Sequence, residues 1–284
     1  MNLAILIMAH KFPNQVANLC NLLTHEKIAI YIHIDKKVDI QQFKNVISNH
    51  NVYFIKNRSD TQWGGFSIIE TIINSYKEIL NNRKYDYICN MSGQDLPIKS
   101  CEDLIEYISL NSGKEFIENI PYSNEHTWWK ENKIRVEKYS FVNQGFRGKY
   151  RVEQILNRLS PKRKPPHNYT FSGNSGWFCL SYKAVIFLLS SYQNDIQLVR
   201  FFKYVWGADE IYFSTVLYNS PFREQMFGNL VYTVWQTEDK LHPKTFRIGD
   251  ENELHNSNKF FARKFDPTID QNIIDQISNY YNKS

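Results

Sequence analysis

The 284-residue sequence has little of what would set it apart from ordinary globular proteins. Its four cysteines, Cys20, Cys89, Cys101 and Cys179, are widely spaced and form no C-x-x-C pair. That spacing suggests neither a disulfide framework nor a zinc site. Cys20, Cys89 and Cys179 lie in apolar patterns, so buried free thiols are expected. No apolar run approaches the roughly 20 residues needed to span a bilayer. The opening run Leu3 to Met8 lacks a basic leader and is too short for a signal peptide. The formal charge of +5 is modest and demands no anionic partner. Without a recognition module it does not argue for nucleic acid. No internal repeat and no long linker interrupts the chain, so a single domain over 1–284 is expected.

What is present is an alternating α/β rhythm. Hydrophobic residues make up 42% and charged residues 22%, so a sizeable core can form. Aromatic residues reach 15%; an aromatic-rich core is the commoner cause, a sugar-handling cleft the rarer one. Leu3 to Met8 reads as a strand buried on both faces. Ile28 to Ile34 reads as another, with Tyr31, His33 and Asp35 on one face and Ile30, Ile32 and Ile34 on the other. Val52 to Ile55 is a short third strand. Ser67 to Leu80 is an amphipathic helix with Ser67 as N-cap and Glu70 completing a capping box. Strands alternating with helices over 1–114 predict a parallel, Rossmann-like nucleotide-binding half. Beyond it, the rhythm changes over 115–284, with helices at 183–190, 209–218 and 268–280 and a strand at 230–235. Residues 158–167 form a basic, proline-punctuated stretch. A solvated loop is preferred there over contact with acidic lipid headgroups.

The organising stretch is Tyr85 to Ser100. Tyr87, Ile88 and Cys89 can form a buried strand, Gly93 breaks it and Pro97 ends further pairing. Ser92, Gln94 and Asp95 then fall at a strand's carboxyl end, where open α/β sheets bind ligands. Taken alone, Asp95 bonding its own turn is the simpler reading.

Ser92-Gly-Gln-Asp-Leu-Pro-Ile98 resembles the core-2/I-branching glycosyltransferase family, which includes the peptide xylosyltransferases. Similar segments follow the family's order: Met8-Ala-His-Lys11, Ile32-His-Ile-Asp35, Trp63-Gly-Gly-Phe66, Gly173 to Trp177, Asp209-Glu-Ile-Tyr-Phe213 and Phe261 to Asp266. The resemblance implies a GT-A-type α/β fold and inverting transfer from a UDP-sugar to a glycan hydroxyl. UDP-N-acetylglucosamine is the expected donor and UDP-xylose the alternative. It assigns Glu210 as the general base, a role that needs a carboxylate to take the acceptor proton. Asp209, a natural N-cap, reads as a helix-dipole partner. No Asp-x-Asp metal motif occurs, and the resemblance implies no cofactor and no metal. Lys244, Arg263 and Lys264 are then the cations that stabilise the diphosphate. Lys244 stands where the animal branching enzymes have arginine, which loses bidentate geometry. His10, Asp35, Ser92 and Asp95 are the remaining nucleotide-sugar candidates. Glu118 matches a sugar-binding glutamate and Trp235 an aromatic that packs on the sugar ring. Lys130, Lys133 and Arg135 lie in the corresponding loop without residue-level alignment.

The resemblance makes 115–284 the acceptor-binding and catalytic half. The animal enzymes of the family carry a membrane anchor and a stem, and neither is expected here. A bacterial enzyme, cytoplasmic or peripheral at the inner membrane face, acting on a glycan or lipid-linked glycan in polysaccharide biosynthesis, is the resulting expectation. The rival is a non-catalytic carbohydrate- or nucleotide-binding protein, which the presence of Glu210 disfavours.

Overall fold

The computed structural model describes residues 1–235 and 242–281. Its strands are β1 (Leu3–Ala9), β2 (Ile28–Ile34), β3 (Val52–Phe54), β4 (Tyr87–Ser92), β5 (Asp95–Pro97) and β6 (Glu115–Phe116). They continue with β7 (Ile120–Pro121), β8 (Ser172–Gly173), β9 (Cys179–Ser181), β10 (Met226–Phe227), β11 (Val231–Thr233) and β12 (Phe261–Arg263). Seven form one sheet in the order β10-β6-β9-β4-β1-β2-β3. β1 to β4 are mutually parallel, as the alternating pattern predicts, while β9 enters antiparallel to both β4 and β6. Strands from both sides of residue 114 therefore share one sheet.

The period of two along β1 explains the layers. Leu3, Ile5 and Ile7 face a cluster with Val16 and Leu19 of the Pro13–Leu22 helix and Ile273 and Ile277 of the C-terminal Gln271–Tyr281 helix. Ala4 and Leu6 face the opposite cluster, with Ile69, Ile72, Ile73 and Tyr76 of the Ser67–Asn82 helix. A strand covered on both faces has no solvated side, hence its unbroken apolar run. Each fully buried Ile or Leu contributes about 1.5–3 kcal/mol relative to exposure.

A second sheet, β11-β12-β5, links the two ends of the sequence. β12 runs antiparallel to β5 and sets Arg263 opposite Asp95. Beyond it, the Phe265 amide donates to the Gln94 carbonyl at 2.8 Å. The C-terminal segment is thus tied to the Ser92–Asp95 loop.

Several local expectations change. Ser67 is the first residue of its helix and Phe66 the N-cap; the Ser67 hydroxyl accepts from the Gln62 amide at 2.8 Å instead. The capping box belongs to the next helix, Cys101–Leu110, where Ser100 and Asp103 serve each other. Asp209 likewise lies inside the Asp209–Tyr218 helix, with Ala208 as N-cap. Cys89 and Cys179 are disulfide-bonded rather than free, because the β4–β9 register sets them opposite each other. Cys20 and Cys101 are free. Arg163, expected in a solvated loop, donates to the Tyr204 carbonyl at 2.9 Å and lies 3.8 Å over the Phe201 ring. The region 115–170 also holds three helices the apolar pattern does not announce, Thr127–Asn132, Ile134–Glu137 and Lys149–Leu159. No described helix is long and apolar enough to cross a membrane.

Candidate active site

One large cavity, about 900 Å³, opens at the carboxyl ends of β1, β2 and β4. This is where the crevice of an open α/β sheet is expected. Its position follows from strand endings: β1 delivers His10, β2 delivers Asp35, and β4 delivers Ser92.

Asp35 is buried at the base of this opening. Its carboxylate accepts from the Lys37 amide at 2.9 Å, from the Thr61 amide at 3.1 Å and from the Thr61 hydroxyl. Burial opposes its ionisation, but the Thr61 and Lys37 donors outweigh it and hold the pKa below the usual value. Asp35 is therefore a fixed anion. Beside it, His33 accepts from the Ser59 amide at 2.9 Å, and burial pushes its pKa down to about 4. His33 is neutral at physiological pH. His10 is exposed, its pKa lowered by partial burial and then by Lys11.

The Ser92–Asp95 loop resolves differently for its two polar residues. Ser92 lines the cavity. Asp95 is fully buried and does not line it. Its carboxylate accepts from the Ser92 amide at 2.8 Å and the Ser92 hydroxyl at 2.7 Å. It also faces Arg263 at 3.6 Å. Asp95 closes the turn and holds the arginine, because a carboxylate this deep needs donors on both sides.

Arg263 borders the cavity with its guanidinium 4.4 Å over the Trp177 ring. Lys264 lines the same cavity. The structure therefore brings Lys264 and Asp35 together, 229 positions apart in sequence, by pairing β12 with β5. Lys244 does not join them. Its ammonium donates to Asp250 at 2.7 Å and to Glu253 at 3.3 Å, and it lies outside the cavity lining. These two carboxylates, Asp250 foremost, raise its pKa and satisfy its charge. Both acids follow Lys244 within nine residues.

On the facing wall, the Asp209–Tyr218 helix presents Asp209 and Glu210 from its first turn. Two glycines let the helix come this close. A Cβ at Gly173 would sit 2.3 Å from the Glu210 carbonyl oxygen, and one at Gly176 would sit 2.7 Å from Asp209 Oδ2. Glu210 is ion-paired with Arg135, whose guanidinium also lies 4.5 Å over the Trp206 ring. Asp209 is pushed up to about 7 by burial and then by the neighbouring Glu210 charge, with Arg135 and Arg263 opposing. Glu118 accepts from the Asn229 amide at 3.3 Å and lines the cavity. Trp235 also lines it, half exposed, and bridges to Pro243. Trp63 adds an exposed indole, packed edge-on against Trp206 at 5.2 Å.

Sequence reasoning left Arg135 unaligned and gave Trp63 and Trp206 no role. Trp63-Gly-Gly-Phe66 was legible as a motif, but its pairing with the Trp206 loop was not. Among the described residues no cluster of three or more His, Cys, Asp or Glu side chains could hold a metal ion.

The fold and cavity define an α/β protein with a charged ligand crevice, lined by the fixed anion Asp35, by Arg263 and Lys264, and by the carboxylate pair Asp209 and Glu210. The Core-2/I-Branching enzyme profile matches residues 3–258, and the chain belongs to that family, a family of glycosyltransferases. Xylosyltransferase 2 of Rattus norvegicus is 27% identical over 300 residues, covering 97% of this chain and 33% of that protein. The xylosyltransferase of Ciona intestinalis is 26% identical over 295 residues, covering 96% and 33%. The chain thus spans about a third of the length of these curated relatives. A solved 4-diphosphocytidyl-2C-methyl-D-erythritol synthase from Anaerococcus prevotii overlays over 72% of this chain and 83% of its own, at 14% identity. Its TM-score of 0.35 is too low to carry functional weight.

Proposed function

We propose that this chain is an inverting, metal-independent glycosyltransferase of the GT-A type that moves a sugar from a UDP-sugar to a hydroxyl of a glycan acceptor. The observation that carries the reading is the single cavity shared by Asp35, Arg263, Lys264 and Glu210. In this reading one crevice holds a group to read the base, cations for the diphosphate and a carboxylate for the acceptor proton.

In this reading Asp35 accepts hydrogen bonds from uracil or ribose, which suits a carboxylate already held ionised. Arg263 and Lys264 meet the diphosphate and stabilise the charge that develops as the glycosidic bond breaks. Glu210 takes the proton from the acceptor hydroxyl as that oxygen attacks the anomeric carbon from the opposite face. Arg135 orients the Glu210 carboxylate. Glu118 binds acceptor hydroxyls, and Trp235 offers its indole face to the apolar side of a sugar ring. His10 and Ser92 complete the donor side.

Two donors are kept. UDP-N-acetylglucosamine follows from the branching members of the family. UDP-xylose is favoured by the names of the relatives, which are xylosyltransferases. The test is a screen of UDP-sugars for hydrolysis or transfer, read as UDP release. Release from one UDP-sugar, lost in Glu210→Gln, supports the reading. No release from any, with UDP still bound, would favour a non-catalytic nucleotide-binding protein.

A further inference from the structure

The Lys149–Leu159 helix is attached to the molecule by its polar side. Lys149 donates to the Val142 carbonyl at 2.8 Å, and Glu153 accepts from the Phe141 amide at 2.6 Å. Asn157 exchanges bonds of 2.8 Å with the Tyr139 main chain in both directions. These three residues recur at i, i+4 and i+8, so they share one face. None of the helix's residues is buried. The opposite face carries Val152, Ile155 and Leu159, which are 46%, 60% and 78% exposed. Arg151 and Arg158 flank this stripe, exposed and without an ion pair to any described residue. A surface helix of a globular protein normally turns its apolar stripe inward; this one is reversed.

The concentration is local. Five of the eighteen exposed large apolar side chains among the described residues lie between Phe146 and Leu159. Residues 146–164 hold seven Lys and Arg (147, 149, 151, 158, 162, 163, 164) and one acid, Glu153, a net +6. The whole chain is +5, so the remaining residues together carry −1. Three of the seven cations serve the fold: Lys149 holds the Val142 carbonyl, Lys162 pairs with Glu137 at 2.9 Å, and Arg163 caps the Tyr204 carbonyl.

We propose that the outward face of the Lys149–Leu159 helix is a docking surface for an anionic lipid bilayer. Val152, Ile155 and Leu159 enter the headgroup boundary, and Arg151, Arg158, Arg147 and Lys164 meet the acidic headgroups. Apolar and basic side chains on one face match an interfacial helix. Nucleic acid would use the arginines but leave Ile155 and Leu159 wet. Face-to-face pairing of two copies would bury the apolar stripe at the cost of setting like charges together. The docked helix would also hold the cavity beside the membrane, since Ser140 donates to the Tyr204 carbonyl at 2.9 Å, two residues before Trp206 in the cavity wall.

The test is flotation of the full chain with vesicles of phosphatidylcholine alone and of phosphatidylcholine with phosphatidylglycerol. The chain should float with the anionic vesicles only, and added salt should release it. Ile155→Ser/Leu159→Ser and Arg151→Gln/Arg158→Gln should each float at least about tenfold less. Their unfolding temperatures should match the parent's, since all four side chains are exposed. No flotation, or flotation that neither double variant reduces, overturns the proposal. So does a dimer by light scattering that Ile155→Ser/Leu159→Ser dissolves without any vesicle binding. Flotation needs no catalysis, so failure of the transferase reading would leave this result standing.

Discussion

At the scale of single residues, the cavity divides its carboxylates by environment. Glu210→Gln is expected to lower transfer by about 10²–10⁴-fold, the range of general-base catalysis, while UDP affinity by calorimetry changes little. Wild-type turnover in that variant would reduce Glu210 to a helix-dipole residue. Asp209 behaves differently, because burial and Glu210 hold its pKa up to about 7, above its ordinary value of 3.8. For an acid raised in the folded state, the native protein keeps a proton that the unfolded chain loses. Its effect is therefore absent below about pH 4, and stability falls as pH rises from there to about 7. Asp209→Asn should gain stability relative to wild type across that window and hold a constant advantage above it. Urea midpoints at pH 4, 5.5, 7 and 8 would show it; a pH-independent difference would contradict the assignment. At the donor end, Lys264→Ala should weaken UDP far more than uridine, which lacks phosphates, whereas Asp35→Ala should weaken both. Equal losses for the two ligands in Lys264→Ala would remove that lysine from the diphosphate site.

At the scale of elements, the helix bearing Asp209 and Glu210 depends on the glycines beneath it. Gly173→Ala should destabilise the fold by about 1–3 kcal/mol, since the new methyl meets backbone rather than a movable side chain. Transfer should fall with it, because the carboxylates ride on that helix. Gly145→Ala, where no atom lies within 4 Å of the added Cβ, is the control and should do neither. The sequence announced the glycine-rich turn before Trp177 but not its purpose, as close approach between Gly173 and Glu210 is a tertiary fact. The parallel strands were legible because a strand buried on both faces leaves a continuous apolar run. Local pattern failed where another contact outcompeted it. Ser67 was free to cap a helix until Gln62 claimed its hydroxyl, and Lys244 was free for phosphate until Asp250 and Glu253 claimed its charge. The Thr127–Asn132 and Lys149–Leu159 helices were missed for other reasons: the first is six residues long, and the second carries its apolar stripe of Val152, Ile155 and Leu159 among many polar residues.

At the scale of the whole molecule, the proposed donor site draws on residues from both ends of the sequence, so ligand binding should be coupled to folding. UDP at about a hundred times its dissociation constant should stabilise the protein by roughly 2.7 kcal/mol, seen as a rise in unfolding temperature. EDTA should leave transfer unchanged, because the diphosphate is assigned to Arg263 and Lys264; a strict need for Mn²⁺ or Mg²⁺ would overturn that assignment. The pairing of β12 with β5 also sets an order of events in time. A chain leaves the ribosome amino end first, at roughly 5–20 residues per second. Asp95 emerges 168 residues ahead of the arginine that faces it. For roughly 8–34 s at those rates the Ser92–Asp95 loop exists without its guanidinium, and the cavity without Arg263 and Lys264. A nascent chain that stops short of β12 lacks both of the side chains proposed to meet the diphosphate. On the proposed reading, transfer waits for Arg263 and Lys264 to emerge.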